Sequence, residues 1–314
     1  MEEINEKILI TGGAGFIGSH LCKALISKNK SVICLDNLYS GSIQNIKELL
    51  NNPNFTFIEH DIAEPIELKN IKEIYNLACP ASPVSYQLNP IDTIKTCTVG
   101  VVNMLDLAKS NNAKILQAST SEIYGDPLVH PQDEEYYGNV NTTGPRSCYD
   151  EGKRCAETLF SDYKRVYNLD IKIVRIFNTY GPNMMINDGR VISNFIVQSL
   201  LEKNLTINGN GSQSRSFMYV DDLIDGLISV MSLEQYLGPV NIGNPEEITI
   251  KKLAFEILSI SNSSSGLIFN NLPEDDPKRR KPDIGKIQNA IKWRPKIPLR
   301  DGLIKTIDYF KNKL

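Results

Sequence analysis

From Thr11 to Gly18 the chain reads TGGAGFIG, with an apolar run of strand length before it and a helical pattern after it. Glycine at 12 allows a tight turn, Gly15 lets backbone approach a pyrophosphate, and Gly18 lets the next helix lie close on a sheet. The N-terminus of that helix then presents unpaired N–H groups to negative charge. Asp36 follows Gly18 by 18 residues and ends the second apolar run, where a carboxylate accepts from a ribose 2′-hydroxyl. The same carboxylate repels a 2′-phosphate, so the cofactor expected is NAD and not NADP. A tight turn that binds nothing is the plainer alternative.

The rhythm around this loop sets the fold class. Short β-branched runs at Lys7–Thr11, Ser31–Asp36, Phe55–Glu59, Glu73–Ala78 and Lys114–Ala118 alternate with helical patterns, such as Phe16, Ile17, Leu21, Ala24 and Leu25, or Ile94, Val101, Met104 and Leu105. Strand alternating with helix predicts an α/β Rossmann fold, a doubly wound parallel sheet with right-handed crossovers. A long amphipathic pattern over Ser147–Tyr167 leads into a sixth strand, Ile171–Phe177. Beyond Tyr180-Gly181-Pro182 come shorter helices at Val191–Leu201, Val220–Leu233, Thr249–Ile260 and Leu299–Lys313. The expected division is a dinucleotide-binding domain over 1–177 and a smaller, mainly substrate-binding domain over 178–314, with some segments returning to the first sheet.

Composition removes several classes. With 34 Lys+Arg against 37 Asp+Glu there is no global positive field to hold nucleic acid or an anionic membrane. The acidic start MEEINEK and the brief run Ile8–Ile10 do not resemble a secretory signal, and no stretch reaches the length that crosses a bilayer, so a cytoplasmic protein is expected. Six cysteines lack any C-x-x-C pair and read as free thiols. Three scattered histidines offer no ligand spacing, so no metal is expected.

Tyr149 and Lys153 stand at i and i+4, one helical turn apart on one face. An ammonium near a phenol stabilises the phenolate, which can then take a hydroxyl proton. Alone, Y-x-x-x-K is usually a surface pair; behind a glycine fingerprint it reads as catalytic. Ser119-Thr120-Ser121-Glu122 places hydroxyls directly after the fifth strand, at the sheet edge where ligands sit. Asp61, after the third strand, either meets the adenine edge or caps a loop.

Together these residues resemble the extended short-chain dehydrogenases/reductases. Longer blocks resemble one family within them, the UDP-glucuronate decarboxylases or UDP-xylose synthases: LACPASP from Leu77, STSEIYGDP from Ser119, YGNVN from Tyr137, RSCYDEGKR from Arg146, RIFNTYGP from Arg175, DGRVISNF from Asp188 and DDPKRRKPDI from Asp275. The resemblance spans nearly the whole chain. It implies NAD as cofactor, held by Gly12, Gly15, Phe16, Ile17, Gly18, Asp36, Asn37, Asp61, Ile62, Leu77, Ala78, Tyr149 and Lys153. UDP-glucuronate is the implied substrate, UDP-xylose and CO2 the products, and a homodimer the implied assembly, through the helix of Ile94–Ala108 and the Tyr149 helix.

The implied chemistry has a physical logic. A hexuronate keeps its CO2 until C4 is a ketone, because the electrons of the breaking bond then enter an enolate. By resemblance, Tyr149 takes the C4 hydroxyl proton, Thr120 holds the C4 oxygen, and Lys153 tunes the tyrosine and binds cofactor ribose. Glu122 and Arg280, with Ser121 beside them, serve decarboxylation and protonation. Pro83, Tyr86, Asn178, Arg190, Gln213, Arg215 and Tyr219, with Glu122 and Arg280, are the implied substrate contacts. From charge pattern alone, Lys278-Arg279-Arg280-Lys281 is a solvated run; the family block singles out Arg280 and leaves Lys278 and Arg279 on the surface. Tyr86 could equally be a half-buried loop aromatic.

Neighbouring chemistries are distinguished at one position. Sugar-nucleotide 4,6-dehydratases carry Asp-Glu where this chain has Ser121-Glu122. 4-Epimerases usually lack the glutamate, which makes a UDP-sugar 4-epimerase the second expectation and a non-catalytic NAD-binding protein the third. Two residues depart from the family pattern. Cys97 replaces an asparagine, with loss of an amide's paired donor and acceptor, and Tyr137 replaces a tryptophan. Cys148, beside Tyr149, is expected to pack and not to attack.

Overall fold

Successive side chains of a strand point to opposite faces, and the first strand, Lys7–Thr11 (β1), shows the result: Ile8 and Ile10 enter one core while Leu9 enters the other. The computed structural model describes residues 6–271 and 279–314. After β1 come helix α1 (Phe16–Ser27), β2 (Ser31–Asp36), β3 (Phe55–Glu59), β4 (Ile71–Asn76), α2 (Pro83–Leu88), α3 (Pro90–Lys95), α4 (Val101–Asn111), β5 (Lys114–Thr120), α5 (Ser147–Tyr167) and β6 (Ile171–Ile176). The chain continues through β7 (Thr179–Tyr180), α6 (Val191–Leu200), β8 (Leu205–Asn208), β9 (Ser214–Ser216), β10 (Met218–Tyr219), α7 (Val220–Met231) and β11 (Pro239–Ile242). It ends with β12 (Glu247–Thr249), α8 (Ile250–Ser261), β13 (Leu267–Asn270), β14 (Arg279–Arg280), α9 (Gly285–Ile291) and α10 (Leu299–Lys311).

Among the described residues, seven parallel strands form the main sheet in the order β11-β6-β5-β4-β1-β2-β3. Beyond the expected six, β11 comes from the C-terminal part of the chain and pairs with β6. Strand order reverses between β1 and β4, so the loops leaving those two strands diverge and open a crevice. One face of the sheet buries Leu21, Leu25, Leu223 and Leu227 of α1 and α7, and the other buries Met104, Leu105, Ala156 and Phe160 of α4 and α5.

Two boundaries differ from the sequence expectation for identifiable reasons. Strand β4 stops at Asn76: the Leu77 N–H is shared between the carbonyl and the hydroxyl of Thr11, each at 3.2 Å, and the Ala78 N–H turns to that hydroxyl at 3.2 Å. Strand β5 runs on to Thr120, which stays in register with Ile176 of β6. The helix expected around Ile94–Ala108 is also interrupted: α3 passes into one π-helical stretch, Thr96–Gly100, before α4 begins. Beyond β6, the short sheets β10-β7, β12-β9-β14 and β13-β8 pack with α6, α8 and α10 above the crevice. Within them β14 places Arg280 in register with Arg215 of β9.

Candidate active site

A cavity of about 670 Å³ opens along the carboxyl ends of the main strands. Its floor is the glycine loop. Gly12 has φ +67°, and a Cβ there would lie 2.9 Å from the Ala78 backbone; a Cβ at Gly18 would lie 2.1 Å from the Gly12 carbonyl oxygen. Only glycine lets the loop close on itself at these points and leave its outer side free for a ligand. Gly15, Phe16, Ile17, Asn37, Ile62, Leu77 and Ala78 also line the cavity. Asp36 is buried at the end of β2, where its Oδ2 accepts from the Ala14 N–H at 2.9 Å and its Oδ1 from the Leu38 N–H at 2.8 Å. Burial raises its pKa and these backbone N–H groups partly restore it. The carboxylate thus braces the loop as well as facing the place of a ribose. Asp61 lines the cavity and also organises its loop, accepting from Asn37 Nδ2 and the Ala63 N–H, both at 2.8 Å. An extended groove, a glycine cradle and an acidic strand end fit a dinucleotide with a free ribose 2′-hydroxyl.

Deeper in, Tyr149 and Lys153 share one face of α5, as their spacing requires. Both are buried. Burial pushes the Tyr149 phenol well above its ordinary pKa, the charges of Cys79 and Glu122 add to that, and a hydrogen bond with Thr120 opposes it. The phenol is therefore protonated at neutral pH in this state. Lys153 Nζ donates to the Ala118 carbonyl at 2.9 Å and lies 5.8 Å from the centre of the Tyr149 ring. Tyr86 is not a half-buried loop aromatic. It lies on α2, fully buried, stacked on Tyr149 at 5.0 Å and 5°, and its hydroxyl has no hydrogen-bond partner among the described residues. Pro83 opens α2 at the cavity wall behind the cap made by Ser82.

The carboxylate of Glu122 is clamped by two arginines. Arg280 donates to both its oxygens, Nη1 to Oε1 at 2.5 Å and Nη2 to Oε2 at 2.8 Å, and Arg146 Nη2 donates to Oε2 at 2.6 Å. Burial alone would raise its pKa, yet the two guanidiniums overcome that and bring it down to about 2. Arg280 is 5% exposed while Arg279 is exposed, since alternate residues of β14 face opposite ways; Arg280 is thus not part of a solvated face. Lys278 lies outside the described residues. Beside the clamp, Asp150 has a buried Oδ1 without a hydrogen-bond partner among the described residues and an Oδ2 3.9 Å from Arg146 Nε. Burial and the neighbouring Glu122 charge push its pKa up to about 8. Arg146 and Asp150 were not among the residues singled out from the sequence. Their signal was present, because Arg146 precedes Asp150 by one helical turn in RSCYDEGKR.

Thr120 accepts from the Glu122 N–H at 3.2 Å, and Ser121 is buried beside it; both line the cavity. Ser119 turns away to Glu157 at 2.6 Å. Asn178, Arg190, Gln213 and Arg215 also line the groove. Arg190 pairs with buried Asp188 at 2.7 Å and lies over the Phe16 ring, and Arg215 is buried next to Arg280. Tyr219 is a correction to the sequence reading: it does not line the cavity but packs edge-on against Tyr180 at 5.7 Å, close to Gly302 of α10. Strand β10 turns its side chain into the core, and the R-S-F-x-Y pattern gives no sign of that direction. Cys97 Sγ lies 3.3 Å from Cys79 Sγ, so a thiol contact fills the place of the expected amide. Cys148 packs with its Sγ 3.6 Å from the Tyr86 carbonyl oxygen, and Tyr137 is exposed.

A glycine cradle, a Y-x-x-x-K helix and C-terminal segments that bring Arg190, Arg215 and Arg280 to the groove are the features of an extended short-chain dehydrogenase/reductase of the nucleotide-sugar class. Residues 9–306 match the family model described as GDP-mannose 4,6 dehydratase. UDP-glucuronic acid decarboxylase 3 of Arabidopsis thaliana is 51% identical over 99% of this chain and 90% of its own length. UDP-glucuronic acid decarboxylase 1 of Danio rerio is 50% identical over 100% of this chain and 74% of its own length. Among solved structures, UDP-glucuronic acid 4-epimerase from Bacillus cereus, in complex with UDP-glucuronic acid and NAD, is 29% identical with a TM-score of 0.89, covering 98% of this chain and 100% of that one. The dTDP-glucose 4,6-dehydratase of Streptomyces venezuelae, with NAD bound, has a TM-score of 0.90 at 26% identity, covering 98% of this chain and 97% of that one. The chain belongs to the UDP-glucuronic acid decarboxylase family.

Proposed function

We propose that this chain converts UDP-glucuronate to UDP-xylose and CO2, with NAD recycled in each turnover. The observation that carries the reading is the bidentate Arg280–Glu122 pair in the wall of a groove that also holds Thr120 and Tyr149. It puts a cation able to meet a sugar carboxylate next to the groups that handle a hydroxyl proton. The name shared by relatives at about half identity over nearly the whole chain supports the same substrate.

Bound in the glycine cradle, NAD would supply a hydride acceptor and donor and positive charge that favours the Tyr149 phenolate. With substrate and cofactor bound Tyr149 enters the step as the phenolate, its own proton released to solvent; its Oη then takes the C4 hydroxyl proton, and Thr120 Oγ1 holds the C4 oxygen as it becomes a carbonyl. The carboxylate is then β to a ketone, and CO2 leaves with its bonding electrons delocalised onto the C4 oxygen. Arg280 binds the sugar carboxylate, which loosens its grip on Glu122 and raises the pKa of that group, so that Glu122 takes up a proton from solvent and passes it to C5 as the enolate collapses back to the ketone. Tyr149 returns its proton to the C4 oxygen as the hydroxyl re-forms. Lys153 fixes the floor through Ala118 and meets the cofactor ribose.

Residues 1–177 carry the dinucleotide and 178–314 mainly the UDP-sugar, with Asn178, Arg190, Gln213 and Arg215 taking the nucleotide end. The chain works as a cytoplasmic homodimer: its six cysteines are all free, and Leu88, Ile91, Ile94 and Val99 leave apolar surface next to α5. Among the described residues no helix is long and apolar enough to cross a membrane.

Incubation of the protein with UDP-glucuronate and NAD, followed by CO2 release and NMR of the sugar, tests the reading. UDP-xylose without net NADH is the expected result. A C4 epimer without CO2 moves the assignment to a 4-epimerase, an outcome kept in view by the likeness to the Bacillus cereus epimerase, and no turnover refutes catalysis altogether.

A further inference from the structure

Two thiols from separate elements meet at the cavity wall. Cys79 follows β4 and lines the cavity, Cys97 lies in the π-helical stretch before α4, and their sulfurs are 3.3 Å apart. Cys79 is partly exposed and Cys97 buried, so a small molecule in the groove reaches Cys79 alone. Burial disfavours the Cys79 thiolate, but the Cys97 thiol as hydrogen-bond partner and the charge of Lys153 reverse that, and its pKa is lowered overall. Burial and the same contact push Cys97 up. An attacking thiol at the surface of the groove thus has a resolving thiol behind it. The other close pair, Cys22 and Cys34, is fully buried under Gly13, away from the groove.

We propose that Cys79 and Cys97 are a reversible thiol–disulfide pair which, when oxidised by a hydroperoxide, slows turnover. This rests on the reading of the groove as the NAD and sugar site. The Cys79 thiolate attacks the O–O bond, an S–O bond forms, and the departing oxygen leaves as water or an alcohol. Cys97 sulfur then attacks the Cys79 sulfenic acid; the S–O bond breaks, the S–S bond forms, and the hydroxide leaves with the Cys97 proton as water. Two thiols and one peroxide give one disulfide, the two electrons passing to peroxide oxygen. A disulfide needs an S–S distance of about 2.05 Å, so the sulfurs close by about 1.2 Å from 3.3 Å.

That movement has an uneven path. Cys97 backs onto α5 between Tyr149 and Lys153, where a Cβ at Gly152 would lie 2.9 Å from the Cys97 Cβ. Ala78, next to Cys79, touches Gly12 of the cradle. Closing the pair therefore shifts the cradle wall, the Tyr149 helix, or both. A misplacement of about 1 Å costs up to about a hundredfold in rate, and a loss of at least about tenfold is expected.

The test treats the full-length protein with hydrogen peroxide, with and without NAD and UDP, and follows thiol count, linked peptides and decarboxylation. Expected are loss of two thiols per chain, a peptide joining Cys79 to Cys97, lower activity restored by dithiothreitol, and protection by the ligands. Cys97→Asn, which restores the family's amide, should give no linked peptide and no dithiothreitol-reversible loss. Absence of the linked peptide, or equal reversible inactivation of Cys97→Asn, overturns the proposal. A linked peptide in a protein that never decarboxylates UDP-glucuronate would refute the proposed activity while leaving the thiol chemistry intact, because the peptide is read without turnover.

Discussion

Replacing Asp150 by Asn tests whether the site carries a carboxyl group held protonated by its surroundings. Asp150 is 7% exposed, its Oδ1 has no partner among the described residues, and the nearest cation, Arg146, is already engaged by Glu122. Its pKa moves from 3.8 up to about 8. The sign follows from proton counting. Between pH 5 and pH 8 the folded chain keeps a proton there that the unfolded chain has released, so stability falls as pH rises. Each pH unit costs at most about 1.4 kcal/mol, or about 4 kcal/mol over the three units. Water entry and relaxation around a buried charge reduce this, and about 2 kcal/mol is expected. Urea unfolding of the parent protein and Asp150→Asn at pH 5 and pH 8, at constant ionic strength, measures it. The variant should gain about 2 kcal/mol on the parent between the two pH values. If both proteins change in parallel, Asp150 ionises as an ordinary surface carboxylate and the account of its burial is wrong.

Three further outcomes follow from the same geometry. Tyr149→Phe should lower C4 oxidation by about a hundredfold to ten-thousandfold while NAD stays bound; single-turnover NADH formation at the parent rate would remove the tyrosine from proton transfer. Glu122→Gln leaves the buried Arg280 and Arg146 facing an uncharged amide, so it should cost about 3–5 kcal/mol of stability and slow CO2 release more than isotopic exchange at C4. Equal losses in the two rates would sink that division of labour. Gly18→Ala drives a Cβ to 2.1 Å from the Gly12 carbonyl oxygen, and NAD affinity measured by calorimetry should fall with about 1–3 kcal/mol of stability; unchanged affinity would show that the loop has room the structure does not provide.

Much of the molecule is written locally. The glycine spacing of 12, 15 and 18 after a short apolar strand, and Asp36 at the next strand end, specify a βαβ cradle because backbone conformation and strand period are properties of adjacent residues. Tyr149 and Lys153 share a face for the same reason, since four residues make one turn whatever surrounds them. The strand and helix rhythm up to Ile176 follows from side chains alternating between two buried faces.

What tertiary structure alone decided lies between segments far apart in sequence. Glu122 and Arg280 are separated by 158 residues, and only the pairing of β14 with β9 turns Arg280 inward from a run of cations. The same packing supplies Arg146 as a second clamp, leaves Asp150 without a full partner, sends Tyr219 into the core against Tyr180, and puts Cys79 against Cys97. Residue type and period state which side chains can be buried and at what spacing. They do not state which distant group lies on the other side, and that group sets the dielectric, the charge and the hydrogen bonds that fix a carboxyl near 2 or near 8.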